Sequence, residues 1–190
     1  MGARSRKSLI IWAIKTITIS NLMKENYIMK KEIENKSEIK LIGVSVRTNN
    51  KNEINPETSK IAMLSSNFFS KNVATQIVNR KNPGITFAVY TEYDSNEHGD
   101  YTYFIGEEVN SFENIPNNLD QLVISAAQYQ KFTTPSGKMP EIVINAWQQI
   151  WKMSSYDFGG ERTYQADFEI YDDRAQDLEN TILDIYIGIK

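Results

Sequence analysis

The chain has 190 residues, 41% hydrophobic and 24% charged, enough for one domain with a substantial core. It has no cysteine, which excludes disulfides, thiolate metal sites and cysteine nucleophiles, and its single histidine leaves no second imidazole to share a metal. Residues 1–37 hold eight Lys/Arg against three acids, whereas residues 38–190 hold thirteen against twenty-one. An acidic body disfavours nucleic acid, which needs a basic footprint, and suits a cationic ligand.

In chain order, Arg4, Arg6 and Lys7 precede an apolar stretch from Ser8 to Ile19. It loosely resembles a signal peptide, but it is short for a membrane span and has no small-x-small cleavage site. Two readings stand: an N-terminal extension over 1–37 outside the fold, with Met29 as an ordinary start, or an export or anchoring segment. The first implies a cytoplasmic protein. Residues 24–37 are polar and lysine-rich and read as a linker.

Alternation of Ile42, Val44 and Val46 predicts a strand over 39–47. Asn55-Pro56-Glu57 carries helix-start signals, and Ile61, Leu64, Phe68, Val73 and Ile77 extend a helix toward Asn79. Strands follow over 85–93 and 101–109, joined by a polar loop that holds His98, read as a solvated loop residue. The order then returns: a strand over 122–132, a helix from Pro140 with Ile142, Ala146, Ile150 and Met153 on one stripe, and strands over 164–171 and 182–189. The fold class is therefore α+β: two βαββ repeats in one domain, 38–190, with halves of about 38–110 and 120–190.

Two sequence echoes support a duplication. Phe168-Glu169-Ile170-Tyr171 repeats Phe87-Ala88-Val89-Tyr90 at an offset of 81, and Ile185-Tyr186-Ile187-Gly188 repeats Tyr103-Phe104-Ile105-Gly106 at 82. The copies differ in charge: Glu169 stands where the first has Ala88. A mid-strand carboxylate in an apolar segment is unfavourable unless a partner answers it. It either sits on a solvated face, paired with Arg162 or Arg174, or in a ligand groove. Period-2 alternation places Tyr90 and Tyr171 on the face of Glu169. Phe104 and Tyr186, equivalent in the echo, are expected to join them. Trp147 and Trp151 share one helix face, where core packing is the default and walling of a groove the alternative. No phosphate loop, serine elbow or calcium loop is present. Gly159-Gly160 reads as a turn, and Asp172, Asp173, Asp177 and Glu179 as a solvated loop.

In that order the pieces resemble the GyrI-like effector-binding domain, also found as the ligand-binding part of AraC-type and multidrug-sensing regulators. The resembling segments run from Ile42-Gly43-Val44-Ser45-Val46-Arg47-Thr48 through Tyr101-Thr102-Tyr103-Phe104-Ile105-Gly106 and Trp147-Gln148-Gln149-Ile150-Trp151. They end with Asp167-Phe168-Glu169-Ile170-Tyr171 and Asp184-Ile185-Tyr186-Ile187-Gly188-Ile189-Lys190. The resemblance implies two βαββ halves about a pseudo-twofold axis and a groove between them for hydrophobic, cationic or aromatic ligands. It also implies a buried glutamate at the groove centre, which by motif match is Glu169. The family's regulators add a helix-turn-helix segment of about a hundred residues; the 37 residues before this domain are too few for it, so direct DNA binding is not expected. The expectation is a stand-alone effector-binding protein related to transcription regulation and stress response. Its ligand-binding residues are Glu169, Tyr171, Tyr90, Phe104, Tyr186, Trp147 and Trp151, with no metal, cofactor or membrane span. The alternatives are a hydrolase in which Glu169 activates water and Tyr171 donates a proton, and a protein-interaction modulator with a regulator partner or weak homodimer.

Overall fold

A computed structural model of the chain describes residues 28–55 and 57–190. The basic and apolar run over 4–19 lies outside the described residues, as does Pro56. The strands are β1 (Lys30–Lys36), β2 (Ile39–Thr48), β3 (Thr86–Thr91), β4 (Tyr101–Glu108), β5 (Asp120–Ile124), β6 (Ala127–Thr133), β7 (Ala166–Tyr171) and β8 (Asp184–Ile189). The α-helices are α1 (Asn50–Ile54), α2 (Ile61–Ser70), α3 (Glu141–Ile150) and α4 (Ser155–Phe158).

All eight strands form one antiparallel sheet in the order β1-β6-β8-β7-β3-β4-β2-β5. This order forces curvature. Across a flat sheet the first and seventh strands would lie roughly 29 Å apart, yet the link from Lys36 to Ile39 spans at most about 11 Å. The sheet therefore curls until its edges approach. Two facing glycines ease the bend: Gly43 pairs with Gly106, and a Cβ on either would fall 2.0 and 2.2 Å from the carbonyl oxygens of Ile105 and Ile42. Curling buries one sheet face against itself, in a core of Leu41, Phe87, Val89, Phe104, Phe168 and Tyr186 without a helix. The opposite face is covered by the helices: α2 through Phe68 over Tyr101, Tyr103 and Ile105, and α3 through Ile142, Ala146, Trp147 and Ile150 over Ile185 and Ile187.

The pseudo-twofold axis lies between β3 and β7. Phe87 faces Ile170, Val89 faces Phe168, and Ala88 faces its own repeat mate, Glu169. The axis thus passes between Ala88 and Glu169. Farther out the halves differ: Phe104 stands opposite Val89, but Tyr186 stands opposite Phe168, the repeat mate of Phe87. The second half is slipped by two residues, a shift that keeps every side chain on its face. Phe104 and Tyr186 are therefore displaced equivalents rather than superposed ones.

Three expectations need correction. Residues 30–36 are not outside the fold: β1 pairs along its length with β6, and Met29 is buried in the α3 core. The lysine-rich composition that suggested a linker is that of an edge strand, where charge discourages further pairing. The segment over 122–132 is not one strand. It breaks at Ser125-Ala126, sending β5 to β2 and β6 to β1 and β8. Each half thus lends its leading strand to the other. The helix expected from Asn55 begins instead at Ile61, and its cap comes from a distance. Glu53, on α1, accepts from the Lys60 and Ile61 backbone N–H groups at 3.1 Å each, supplying the side-chain cap that Lys60 itself does not. Asn49 caps α1 by accepting from the Asn52 N–H at 2.9 Å.

Candidate functional site: an aromatic cavity over a buried carboxylate

Glu169 is 2% exposed. Its neighbours on the helix-covered face are aromatic. The Trp147 indole Nε1–H donates to Oε1 at 2.6 Å and the Tyr90 hydroxyl to the same oxygen at 3.0 Å. The Tyr171 hydroxyl donates to Oε2. Among the described residues no lysine or arginine pairs with it: Arg162 is taken by Asp167, and Arg174 by Asp172 and Asp184. Burial pushes its carboxyl above the ordinary value, against the three hydrogen bonds that pull it down. Burial, and then the field of Glu169, drives the Tyr90 and Tyr171 hydroxyls well above theirs. They stay protonated, as donors to the carboxylate must.

Strand and helix geometry set this arrangement. Tyr90 and Glu169 share a face because each lies an even number of residues from the axial pair or on it. Trp147 reaches the carboxylate from α3, whose inward stripe of Ile142, Ala146 and Ile150 fixes its rotation. The Tyr90 ring meets Trp147, Tyr103 and Tyr101 edge-on at centroid distances of 5.0, 5.3 and 5.7 Å.

A cavity of about 580 Å³ opens above these rings, between α1–α2 and α3. Tyr90, Tyr101 and Trp147 line it, with Ile61 and Val143 on the flanking helices. Ile54 and Trp151, which also line it, are 59% and 47% exposed. Glu169 does not line this cavity; it lies behind the donor ends of Tyr90 and Trp147. Tyr171 lines a second cavity of about 60 Å³ with Tyr103, Phe69 and Met139. The carboxylate thus lies between a large cavity and a small one, with one tyrosine toward each.

Of the seven residues expected at the site, Glu169, Tyr90, Tyr171 and Trp147 form one hydrogen-bonded cluster, and Trp151 stands beside Trp147 at a centroid distance of 6.2 Å. Phe104 and Tyr186 are elsewhere, correcting that expectation. Both point into the helix-free core, where Tyr186 stacks on Phe168 at 4.7 Å. Residues directly opposed in a ladder share a face, and their partners, Val89 and Phe168, sit one residue off the axial pair.

Sequence reasoning missed Tyr93, Tyr101, Glu97 and Arg162, which also line the large cavity. Tyr101 is recoverable by extending the alternation of Tyr103. Tyr93 is not, because Glu92 adopts a left-handed backbone (φ 51°) that ends the strand's alternation. His98 lies at the cavity with a side chain 84% exposed, 3.9 Å from Glu97.

Known proteins share this architecture. The Vibrio cholerae integron cassette protein VCH_CASS2 superposes with a TM-score of 0.70 at 26% identity, over 87% of this chain and 100% of that one. SAV2435, solved bound to tetraphenylphosphonium, matches with a TM-score of 0.68 at 17% identity, over 85% of this chain and 94% of that one. The Bacillus subtilis (strain 168) protein YobU, described as a candidate transcriptional regulator, is 28% identical over 78% of this chain and 90% of its own length. The resemblance to GyrI-like proteins is borne out. A family model covers residues 32–189, nearly the whole described fold, and the chain belongs to the Cass2 family, the integron-associated effector binding proteins.

Proposed function

We propose that the protein captures amphipathic, aromatic cations in the 580 Å³ cavity, with Glu169 as the buried counter-charge. One observation carries this reading: a carboxylate at the axis of the fold whose three donors are all aromatic side chains and which has no cationic partner among the described residues. Membership of an effector-binding family supports small-molecule binding. SAV2435, of the same fold, was solved with a lipophilic cation.

The proposed mechanism is electrostatic. Tyr90 and Trp147 direct their O–H and N–H dipoles, respectively, at the carboxylate and their rings at the cavity. The negative charge at the donor end enriches the ring faces, and a cation resting on them gains cation–π attraction of ~0.5–2 kcal/mol per ring. The low local dielectric strengthens the pull of Glu169 on that cation. A ligand that displaces Tyr90 would meet the carboxylate directly. Hydrolysis is the weaker reading: Glu169 and Tyr171, the pair it needs, do not line the large cavity. A cytoplasmic location and a sensing or multidrug-capture role belong to this proposal, and contact with DNA does not.

Titrating the protein with tetraphenylphosphonium while following tryptophan fluorescence tests the proposal. Saturable quenching at micromolar concentration is expected, with Trp147 and Trp151, which both line the cavity, as reporters. No saturable change up to millimolar ligand would overturn it.

A further inference from the structure

Arg162 lines the same cavity, and its side chain is only 7% exposed. Its backbone is fastened to the chain end. Arg162 bridges Ile189, the Thr163 N–H donates to the Gly188 carbonyl at 2.9 Å, and the Glu161 N–H to the Lys190 carbonyl at 3.1 Å. The guanidinium lies 4.3 Å from the Tyr164 ring centroid, so its plane is held as well.

Its donors are underused. Nη2 donates to Asp167 Oδ2 at 2.6 Å. Nη1 stands 4.0 Å from Glu97 Oε2, beyond hydrogen-bond reach. Nε is buried and has no partner among the described residues. A guanidinium offers five N–H donors, and the two acids beside it are engaged elsewhere. Asp167 also accepts from Tyr93 at 3.0 Å and from the Gly188 N–H at 2.9 Å; Glu97 accepts from Tyr164. A ligand filling the cavity excludes water from the guanidinium N–H groups that solvent still reaches; the Nε–H, already buried, has none to lose. Only a ligand that brings an acceptor replaces what it removes. A carboxylate or phosphate would face Asp167 and Glu97, so the acceptor that fits is uncharged.

We infer that Arg162 forms a donor subsite for a neutral acceptor, such as a ketone, amide or ester oxygen, on the ligand whose aromatic cation rests against Tyr90 and Trp147. The inference rests on the proposed ligand cavity and narrows its ligand class to cations carrying a carbonyl-type group. It also gives the site an orientation, because one end of the ligand is read by charge and the other by hydrogen bonding.

The test uses pentyltriphenylphosphonium and its ketones at the third and fourth chain carbons, titrated against the native protein and Arg162→Lys. Lysine retains a positive charge for Asp167 but lacks the planar donor set. The better ketone should bind the native protein roughly tenfold more tightly than the alkyl probe, and the ratio should fall to about one in Arg162→Lys. Equal affinities for the native protein, or a ratio unchanged by the substitution, would overturn the subsite and leave the cavity reading standing. Binding of none of the probes would overturn both. If Arg162→Lys does not fold, the infrared band of a ¹³C-labelled ketone bound to the native protein decides. A band below that of the ketone in hydrocarbon is expected, and a band at the hydrocarbon position contradicts the subsite.

Discussion

The two halves share a plan and differ at its centre. Ala88 and Glu169 face each other across the pseudo-twofold axis, one without a functional group and the other with a carboxylate. Around them the first half contributes Tyr90 and the second Tyr171, both donating to the single carboxylate. The cavity on the Tyr90 side has about 580 Å³ and that on the Tyr171 side about 60 Å³. The repeated plan provides the frame and two covering helices; the asymmetry leaves a single carboxylate at the axis. Two glutamates at the axis would repel at close range and force one to stay protonated, so a charged site at the axis favours one carboxylate.

The centre of the fold depends most on Trp147, which ties α3 to the second half's carboxylate. Trp147→Ala removes a buried ring and leaves Glu169 one donor short. Stability should fall by about 3–5 kcal/mol in urea denaturation. A loss below about 1 kcal/mol would mean that α3 holds its place without the indole.

Making the halves alike is the next largest perturbation. Ala88→Glu inserts a larger side chain at a position 1% exposed and sets it against Glu169. Overpacking alone costs about 1–3 kcal/mol, and the second carboxyl should make the loss grow as pH rises. A pH-independent loss would show that the new side chain turns away from Glu169.

A smaller effect sharpens the electrostatic difference. Burial raises the Glu169 carboxyl above 4.5 in the folded protein, so the fold holds this proton more tightly than the unfolded chain does. Its contribution to stability is full below about 4.5 and is lost as pH rises through the folded value. The melting temperature of the native protein relative to Glu169→Gln should therefore decline as pH rises from 4 to 8. Carboxyls shifted down by their partners, such as Glu34 and Asp172, act in the opposite direction in both proteins and cancel. A flat difference would mean that Glu169 titrates as it does in the unfolded chain.

The centre of the fold was legible in the sequence because it is local. Alternation in Phe87–Tyr90 and Phe168–Tyr171 assigns Glu169, Tyr90 and Tyr171 to one face, and the repeat offset of 81 is the offset that sets Ala88 against Glu169. What failed depended on partners distant in sequence. Phe104 and Tyr186 alternate correctly within their own strands, but only the ladder register shows which face looks toward the helices. The exchanged strands β1 and β5 leave no turn signature, since Ser37-Glu38 and Ser125-Ala126 cross between positions of the sheet without Gly or Pro. Arg162, Glu97 and Tyr93 reach the cavity from loops, where no periodicity applies. Glu53 caps a helix seven and eight residues ahead of itself, a contact that no local capping rule covers.

In the proposed site Glu169 acts as counter-charge to a bound cation. The most direct measurement is a paired titration at pH 8 of tetraphenylphosphonium and neutral triphenylmethanol against the native protein and Glu169→Gln. The substitution preserves shape and removes the charge. Tetraphenylphosphonium should lose roughly tenfold in affinity, the scale of a charge–charge attraction acting through a partly buried site without a hydrogen bond, while triphenylmethanol changes by less than about threefold because the rings remain. Equal losses for both ligands, or no loss for either, would contradict the assignment of Glu169 as the cation's partner.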